Sequence, residues 1–194
     1  MSATSRASDA GEHAMTQSNA LIPAHAERPA AVANVAVEQQ QYLTFSLGEE
    51  MFGLGILSVR EILEYGQITE VPLVPPFIQG VINLRGAVVP VINLAVRFGR
   101  QAGEITKRTC IVIIEITQDQ HTHQMGLVVD AVSEVLEIPS SDIEPPPAFG
   151  SRIRTDFIAG MGKVNSKFVV LLNVDQILSL DEVTVLAGLS HSHP

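Results

Sequence analysis

From Tyr42 onward the chain is written in short runs of Val, Ile, Leu and Phe broken by Gly, Pro and Asn, a pattern of strands and turns rather than of long helices. Tyr42-Leu-Thr-Phe-Ser-Leu47 alternates loosely between apolar and polar positions, Gly48-Glu-Glu50 supplies a turn, and Met51-Phe-Gly-Leu54 resumes the apolar pattern. That sequence predicts a hairpin. Short helices are expected after Asn93 (Leu94 to Phe98) and after Asp175 (Gln176 to Leu180), each headed by a side chain suited to capping, with another through Asp181 to Gly188. Residues 1–40 are rich in Ala, Ser, Thr and Gln and contain no aromatic side chain, so little buried area would offset the entropy of ordering them. We expect a disordered tail over 1–40, a folded region over 41–186 and a flexible C-terminus over 187–194.

The folded region repeats itself, and such repeats constrain architecture more than any local pattern. Gly53-Leu-Gly-Ile-Leu-Ser-Val-Arg-Glu-Ile-Leu63 aligns with Gly126-Leu-Val-Val-Asp-Ala-Val-Ser-Glu-Val-Leu136. A second block follows in each half: Phe77-Ile-Gln-Gly80 matches Phe157-Ile-Ala-Gly160, and Val89-Pro-Val-Ile-Asn-Leu94 matches Val169-Val-Leu-Leu-Asn-Val174. Each copy reads as a small antiparallel sheet curled into a barrel, so the fold class is all-β with two similar lobes and a few short helices. A single β-sandwich is the competing architecture.

Composition narrows the function by exclusion. The chain has 194 residues, 46% of them hydrophobic, and a formal net charge of -9, with twelve Lys and Arg scattered along it. Nucleic-acid binding needs clustered basic residues, so a protein partner is expected instead. The longest apolar runs, such as Ile111 to Ile114, fall far short of the ~18 to 20 residues a membrane helix requires. Behind Arg6 there is no apolar stretch of the kind a secretory signal needs, so cytoplasmic residence is the default. Cys110, inside Thr109-Cys-Ile-Val-Ile-Ile114, reads as a small buried hydrophobe.

No constellation of catalytic residues stands out. The carboxylates are dispersed, and there is no G-x-S-x-G, P-loop or G-x-G-x-x-G motif. His121-Thr-His123 would put two imidazoles on one face of a strand, but in a polar stretch without a third ligand, so a solvated hairpin tip is expected and no metal or other cofactor. A hydrolase or ligand-binding cleft between lobes is the alternative from a different class, supported only by the general tendency of such clefts to bind small molecules.

Residues present in both copies answer packing problems common to both, whereas those present in one copy can serve a task only that lobe performs. Arg85, in Asn83-Leu-Arg-Gly86 ahead of a hairpin glycine, has Asn165 as its counterpart. It is either a guanidinium lying over apolar neighbours or a fixed charge for a partner protein. The loop Ile143-Glu-Pro-Pro-Pro-Ala-Phe149 is the other unshared feature, stiffened by three prolines and ending in an aromatic residue that is either an exposed anchor or tucked onto its own barrel.

The stretch Gly80-Val-Ile-Asn-Leu-Arg-Gly-Ala-Val-Val-Pro-Val-Ile-Asn-Leu94 resembles the signature of the CheW-like chemotaxis coupling proteins, and the likeness extends over roughly residues 41–186. Asn93 departs from the Asp usual there, a change that keeps a capping side chain. The resemblance implies two SH3-like five-stranded barrels, no enzymatic activity, and a scaffold joining the cytoplasmic tip of a chemoreceptor to the regulatory domain of the histidine kinase CheA. It further implies a protein that is monomeric when free and is recruited to membrane receptor arrays. Ile56, Val59, Glu61 and Arg85 match positions at the receptor surface; Ile143 and Phe149 match the kinase contact, although Glu144 stands where some relatives carry a basic residue. Coupling in another motility or surface-sensing pathway is the alternative within this class. Val59 and Glu61 recur as Val132 and Glu134, so a packing role is open for both, and simple alternation would point the two to one face. Asp130, aligned with Leu57, is expected at a turn or in a polar contact between lobes.

Overall fold

In the computed structural model, residues 38–118, 120–148 and 153–179 are described, together with positions 182, 185 and 188. The tail expected over 1–40 therefore lies largely outside the described residues, as do Phe149 and most of the stretch from 180 onward. Eleven strands run through the described residues: β1 (Gln39–Leu47), β2 (Glu50–Gly55), β3 (Val59–Glu64), β4 (Ile78–Leu84), β5 (Ala87–Asn93), β6 (Cys110–Gln118), β7 (His121–Val129), β8 (Ala131–Pro139), β9 (Ile143–Glu144), β10 (Ile158–Val164) and β11 (Lys167–Leu172). β1 begins inside the stretch assigned to the tail, because Gln39 to Gln41 pair with β8.

The strands form two sheets, β8-β1-β2-β11-β10-β9 and β3-β6-β7-β5-β4. The second has five strands; the first has six because the two-residue β9 adds to its margin. The two copies of the repeat are not one lobe each. The β1–β2 hairpin, from the first copy, lies in the sheet built otherwise from β8 to β11, and the β6–β7 hairpin, from the second copy, lies with β3 to β5. The exchange is made by two parallel pairings at equivalent places, Val91↔Gly126 and Ile92↔Leu127 in one sheet, Val170↔Phe52 and Leu171↔Gly53 in the other.

This exchange decides where the core sits. Ile111 to Ile114 in β6 are all buried: Ile111 and Ile113 pack in a cluster with Val89, Val91 and Val128, while Val112 and Ile114 face a larger core shared by both sheets. A strand buried on both faces reads as an uninterrupted apolar run, as this one does. The shared core holds a chain of aromatic rings, Phe45–Phe52–Phe98–Phe157, with centroids 5.9, 5.8 and 5.7 Å apart. Phe45 and Phe52 come from the first sheet, Phe98 follows β5 of the second, and Phe157 precedes β10.

The short helices close this core. Helix α1 (Leu94–Arg97) starts as expected at Asn93, whose side chain accepts from the Val96 N–H at 3.2 Å. The equivalent turn in the second copy is a 3-10 segment, Val174–Gln176, that begins at Asn173 rather than at Asp175 and carries no side-chain cap. Farther on, Glu182, Val185 and Gly188 are helical, and Ser179 and Glu182 cap one another: the Ser179 N–H donates to Glu182 Oε2 at 2.7 Å and the Glu182 N–H to Ser179 Oγ at 3.3 Å. Arg97 holds the two copies and this last segment together. Its guanidinium lies 4.5 Å from the Phe77 ring and 5.1 Å from the Phe157 ring, and it donates to the Ile177 carbonyl at 2.6 Å and to Glu182 Oε2 at 2.9 Å. Burial lowers its pKa from the ordinary arginine value, with Glu182 acting against that shift.

Cys110 is only half-buried, not the enclosed hydrophobe its sequence setting implies. It stands at the first residue of β6, where its thiol donates to the Arg108 carbonyl at 3.2 Å.

Candidate protein-interaction surface

The β4–β5 hairpin closes through a two-residue loop, with Leu84 paired to Ala87 and Arg85-Gly86 between them. Both loop residues have positive φ, +51° for Arg85 and +89° for Gly86, and Asn83 Oδ1 accepts from the Gly86 N–H at 2.9 Å. The β10–β11 hairpin makes the same turn with Asn165 at +48° and Ser166 at +63°. Tight turns of this kind favour Asn and Gly, because the left-handed region crowds a longer side chain. At the first loop position the second copy carries the Asn that the turn prefers and the first copy an arginine that strains it; at the second position the first copy has Gly86 and the second Ser166.

What the arginine does there is visible in its partner. Arg85 donates to Glu61 through both terminal nitrogens, at 2.7 and 2.8 Å, in a fork geometry. The guanidinium stays 75% exposed while Glu61 is 24% exposed, so the carboxylate forms a recessed base and the cation stands out on it. Glu61 raises the Arg85 pKa above the ordinary value, chiefly through the hydrogen bond. The pair also spans the two margins of the five-stranded sheet, since Glu61 is on β3 and Arg85 follows directly on β4. A bridge between Thr69 and Val81 closes the same gap, and together they curl the sheet into a barrel.

Val59 and Glu61 do not share a face. The register between β3 and β6 shifts between them: Val59 pairs with Ile114, which faces the shared core, and Glu61 with Ile113, which faces the barrel interior. Arg60 is the extra residue of this bulge, and a bulge reverses the alternation that a regular strand would keep. Arg60 turns outward to Glu115, donating from Nε at 2.7 Å. Ile56 and Val59 are half-buried and pack against the shared core. The structure brings Glu61 and Arg85 together at the hairpin tip and keeps Ile56 and Val59 close by in the chain leading into β3, with their side chains packed against the core.

Of the two residues matched to the kinase contact, only Ile143 is among the described residues. Ile143 pairs within β9 and packs, half-buried, against the cluster of Tyr42, Ile138, Val169 and Leu171, while Glu144 beside it is exposed. Phe149 lies outside the described residues. Near this loop is a cleft of about 690 Å³ lined by Pro147, Ile153, Ile158, Met161, Phe168 and Val170, with charged side chains of Glu49, Glu50 and Lys167 also on it. Phe168, half-exposed on β11, was not singled out by sequence; its counterpart is Val88, and an aromatic in an apolar run carries no mark of exposure.

Asp130 stands at the junction of β7 and β8 and accepts from the Gly48 N–H at 2.6 Å in the β1–β2 turn, a contact between the two copies of the repeat made beside the sheet in which β8 and β1–β2 both lie. His121 and His123 stack at the start of β7 with ring centroids 6.5 Å apart. Among the described residues no group of three or more His, Cys, Asp or Glu side chains could hold a metal ion, and no helix is long and apolar enough to cross a membrane.

The fold is a duplicated all-β module with exchanged hairpins, and its first copy holds an exposed arginine on a recessed carboxylate. Residues 41–182 match the family model of the CheW-like domain, and the chain belongs to that family. It is similar to the chemotaxis protein CheW of Klebsiella aerogenes, with 35% identity over 154 residues, covering 79% of this chain and 90% of that protein. The chemotaxis protein CheW of Rhizobium meliloti is 32% identical over 143 residues, 74% of this chain and 90% of that one. Among solved structures, the scaffolding protein TtCheW from Thermoanaerobacter tengcongensis superimposes with a TM-score of 0.67 at 35% identity, covering 81% of this chain and 94% of that chain.

Proposed function

We propose that the chain is a non-enzymatic coupling scaffold of bacterial chemotaxis that joins the cytoplasmic tip of chemoreceptors to the regulatory domain of the histidine kinase CheA. Family membership carries the coupling role, and the observation that carries the placement is Arg85, kept in a strained turn, fixed by Glu61 and left exposed. Strain retained at a position where the second copy has a relaxed residue points to selection for something other than folding. The receptor face is the surface of Ile56, Val59, Glu61 and Arg85. The kinase face is the segment from Ile143 to Phe149 and the cleft beside it, where Pro147 and Phe168 offer an apolar contact and Glu49, Glu50 and Lys167 a charged one. Two faces made largely by different lobes allow both partners to bind at once. The protein works in the cytoplasm, is monomeric alone, is drawn to the membrane only through receptor arrays, and uses no cofactor and no nucleic acid.

Simultaneous binding is the direct test. Receptor cytoplasmic fragments, kinase and the full chain, mixed and separated by sedimentation, are expected to yield a three-component complex, with receptor saturation leaving kinase affinity within about twofold of its value alone. Competition between receptor and kinase for the chain would show that they use one face.

A further inference from the structure

Leu57 is 92% exposed, at the middle of the 3-10 turn Ile56–Ser58 that leads into β3. Ile56 just before it and Val59 two residues after it pack on the shared core, so the turn is anchored at both ends while the leucine stands outward. In the second copy the same position is Asp130, which is integrated into the fold: its carboxylate accepts from the Gly48 N–H and its own N–H donates to the Ser46 carbonyl at 3.1 Å. The turn thus needs no apolar side chain to form, and the first copy alone presents one. It does so on the lobe that also carries the strained arginine, two residues before Val59 and four before Glu61.

We propose that Leu57 is the apolar anchor of the receptor face, a knob that enters an apolar groove between the helices of the receptor's cytoplasmic hairpin while the Glu61–Arg85 pair meets polar groups at its rim. This rests on the receptor-facing reading given above. Interfaces draw most of their affinity from a few apolar or aromatic anchors surrounded by polar contacts that exclude water, and an exposed leucine beside a fixed ion pair has that arrangement. The half-buried Ile56 and Val59 supply the floor from which it projects and have little side chain left to offer a partner.

Titration of receptor cytoplasmic fragments and, separately, of kinase against the full chain and its variants tests this. Leu57→Ala is expected to weaken receptor binding about tenfold or more and Leu57→Asp further, with Leu57→Met close to the parent, kinase affinity unchanged and melting temperature unshifted. Wild-type receptor affinity in Leu57→Ala, with a loss in Arg85→Asp, would remove the anchor while leaving the receptor face in place. Wild-type affinity in both would remove the receptor face itself, and the anchor with it. Loss of kinase rather than receptor binding, or a melting temperature lowered by Leu57→Ala, would also overturn the proposal, the first by assigning the side chain to the other partner and the second by showing it packed.

Discussion

Gly80→Ala is expected to destabilise the protein by about 3 kcal/mol or more, lowering its melting temperature by roughly 10 °C. Gly80 has φ +143°, outside the range that a residue with a side chain adopts comfortably, and a Cβ there would meet the Thr69 carbonyl oxygen at 2.1 Å. That carbonyl cannot yield cheaply, because Thr69 and Val81 exchange two backbone hydrogen bonds of 2.9 and 2.8 Å that close the sheet into a barrel. Gly160 occupies the same place in the second copy, at the same kind of register shift, but without the positive φ, and its Cβ would meet the Ile143 Cγ2 methyl at 2.7 Å and a carbonyl only at 3.0 Å. Gly160→Ala should therefore cost less than Gly80→Ala. Gly55→Ala, with nothing within 4 Å, should shift stability by no more than about 0.5 kcal/mol. Denaturant melts of the three variants check the order, and equal losses at Gly80 and Gly55 would contradict it.

Arg85→Asp is expected to leave the fold intact and to weaken receptor binding by on the order of tenfold or more. The new side chain tolerates positive φ better than arginine does, which relieves the turn, and the repulsion it creates with Glu61 acts at an exposed site where solvent screens it. The melting temperature should thus stay within a few degrees of the parent. The paired exchange Glu61→Arg with Arg85→Glu separates two roles. It restores an ion pair between the same elements, so any purely internal function returns with it, whereas a receptor that reads the position of the cation still binds weakly. Full recovery of receptor binding in the exchanged protein would show that the pair serves only to close the barrel.

Much of this architecture is legible in the sequence, for a reason that also marks where legibility ends. The repeat reveals equivalent elements because each copy must satisfy the same packing: Phe77-Ile-Gln-Gly80 and Phe157-Ile-Ala-Gly160 recur since in both copies the Phe carbonyl accepts from an Asn N–H at 2.8 Å and the Gly sits at a register shift. Equivalence does not say which copy pairs with which, so the exchange of the β1–β2 and β6–β7 hairpins, made by non-local parallel contacts, left no mark in either copy alone. The bulge at Arg60 is equally silent, and it is what turns Val59 away from Glu61. Arg85 was legible by its contrast with Asn165. The same contrast between Leu57 and Asp130 was available, and its meaning emerged only from the exposure of one and the hydrogen bonds of the other.

The account as a whole stands on coupling, and the measurement that bears on it most directly is autophosphorylation of the kinase in a reconstituted mixture of receptor-bearing membranes, CheA and this protein. Receptor-dependent stimulation that appears only when the chain is added, is suppressed by the receptor's attractant and is lost with Arg85→Asp is the predicted result. Kinase activity that is the same with and without the chain, under conditions where both partners are active with a known coupling protein, would contradict it.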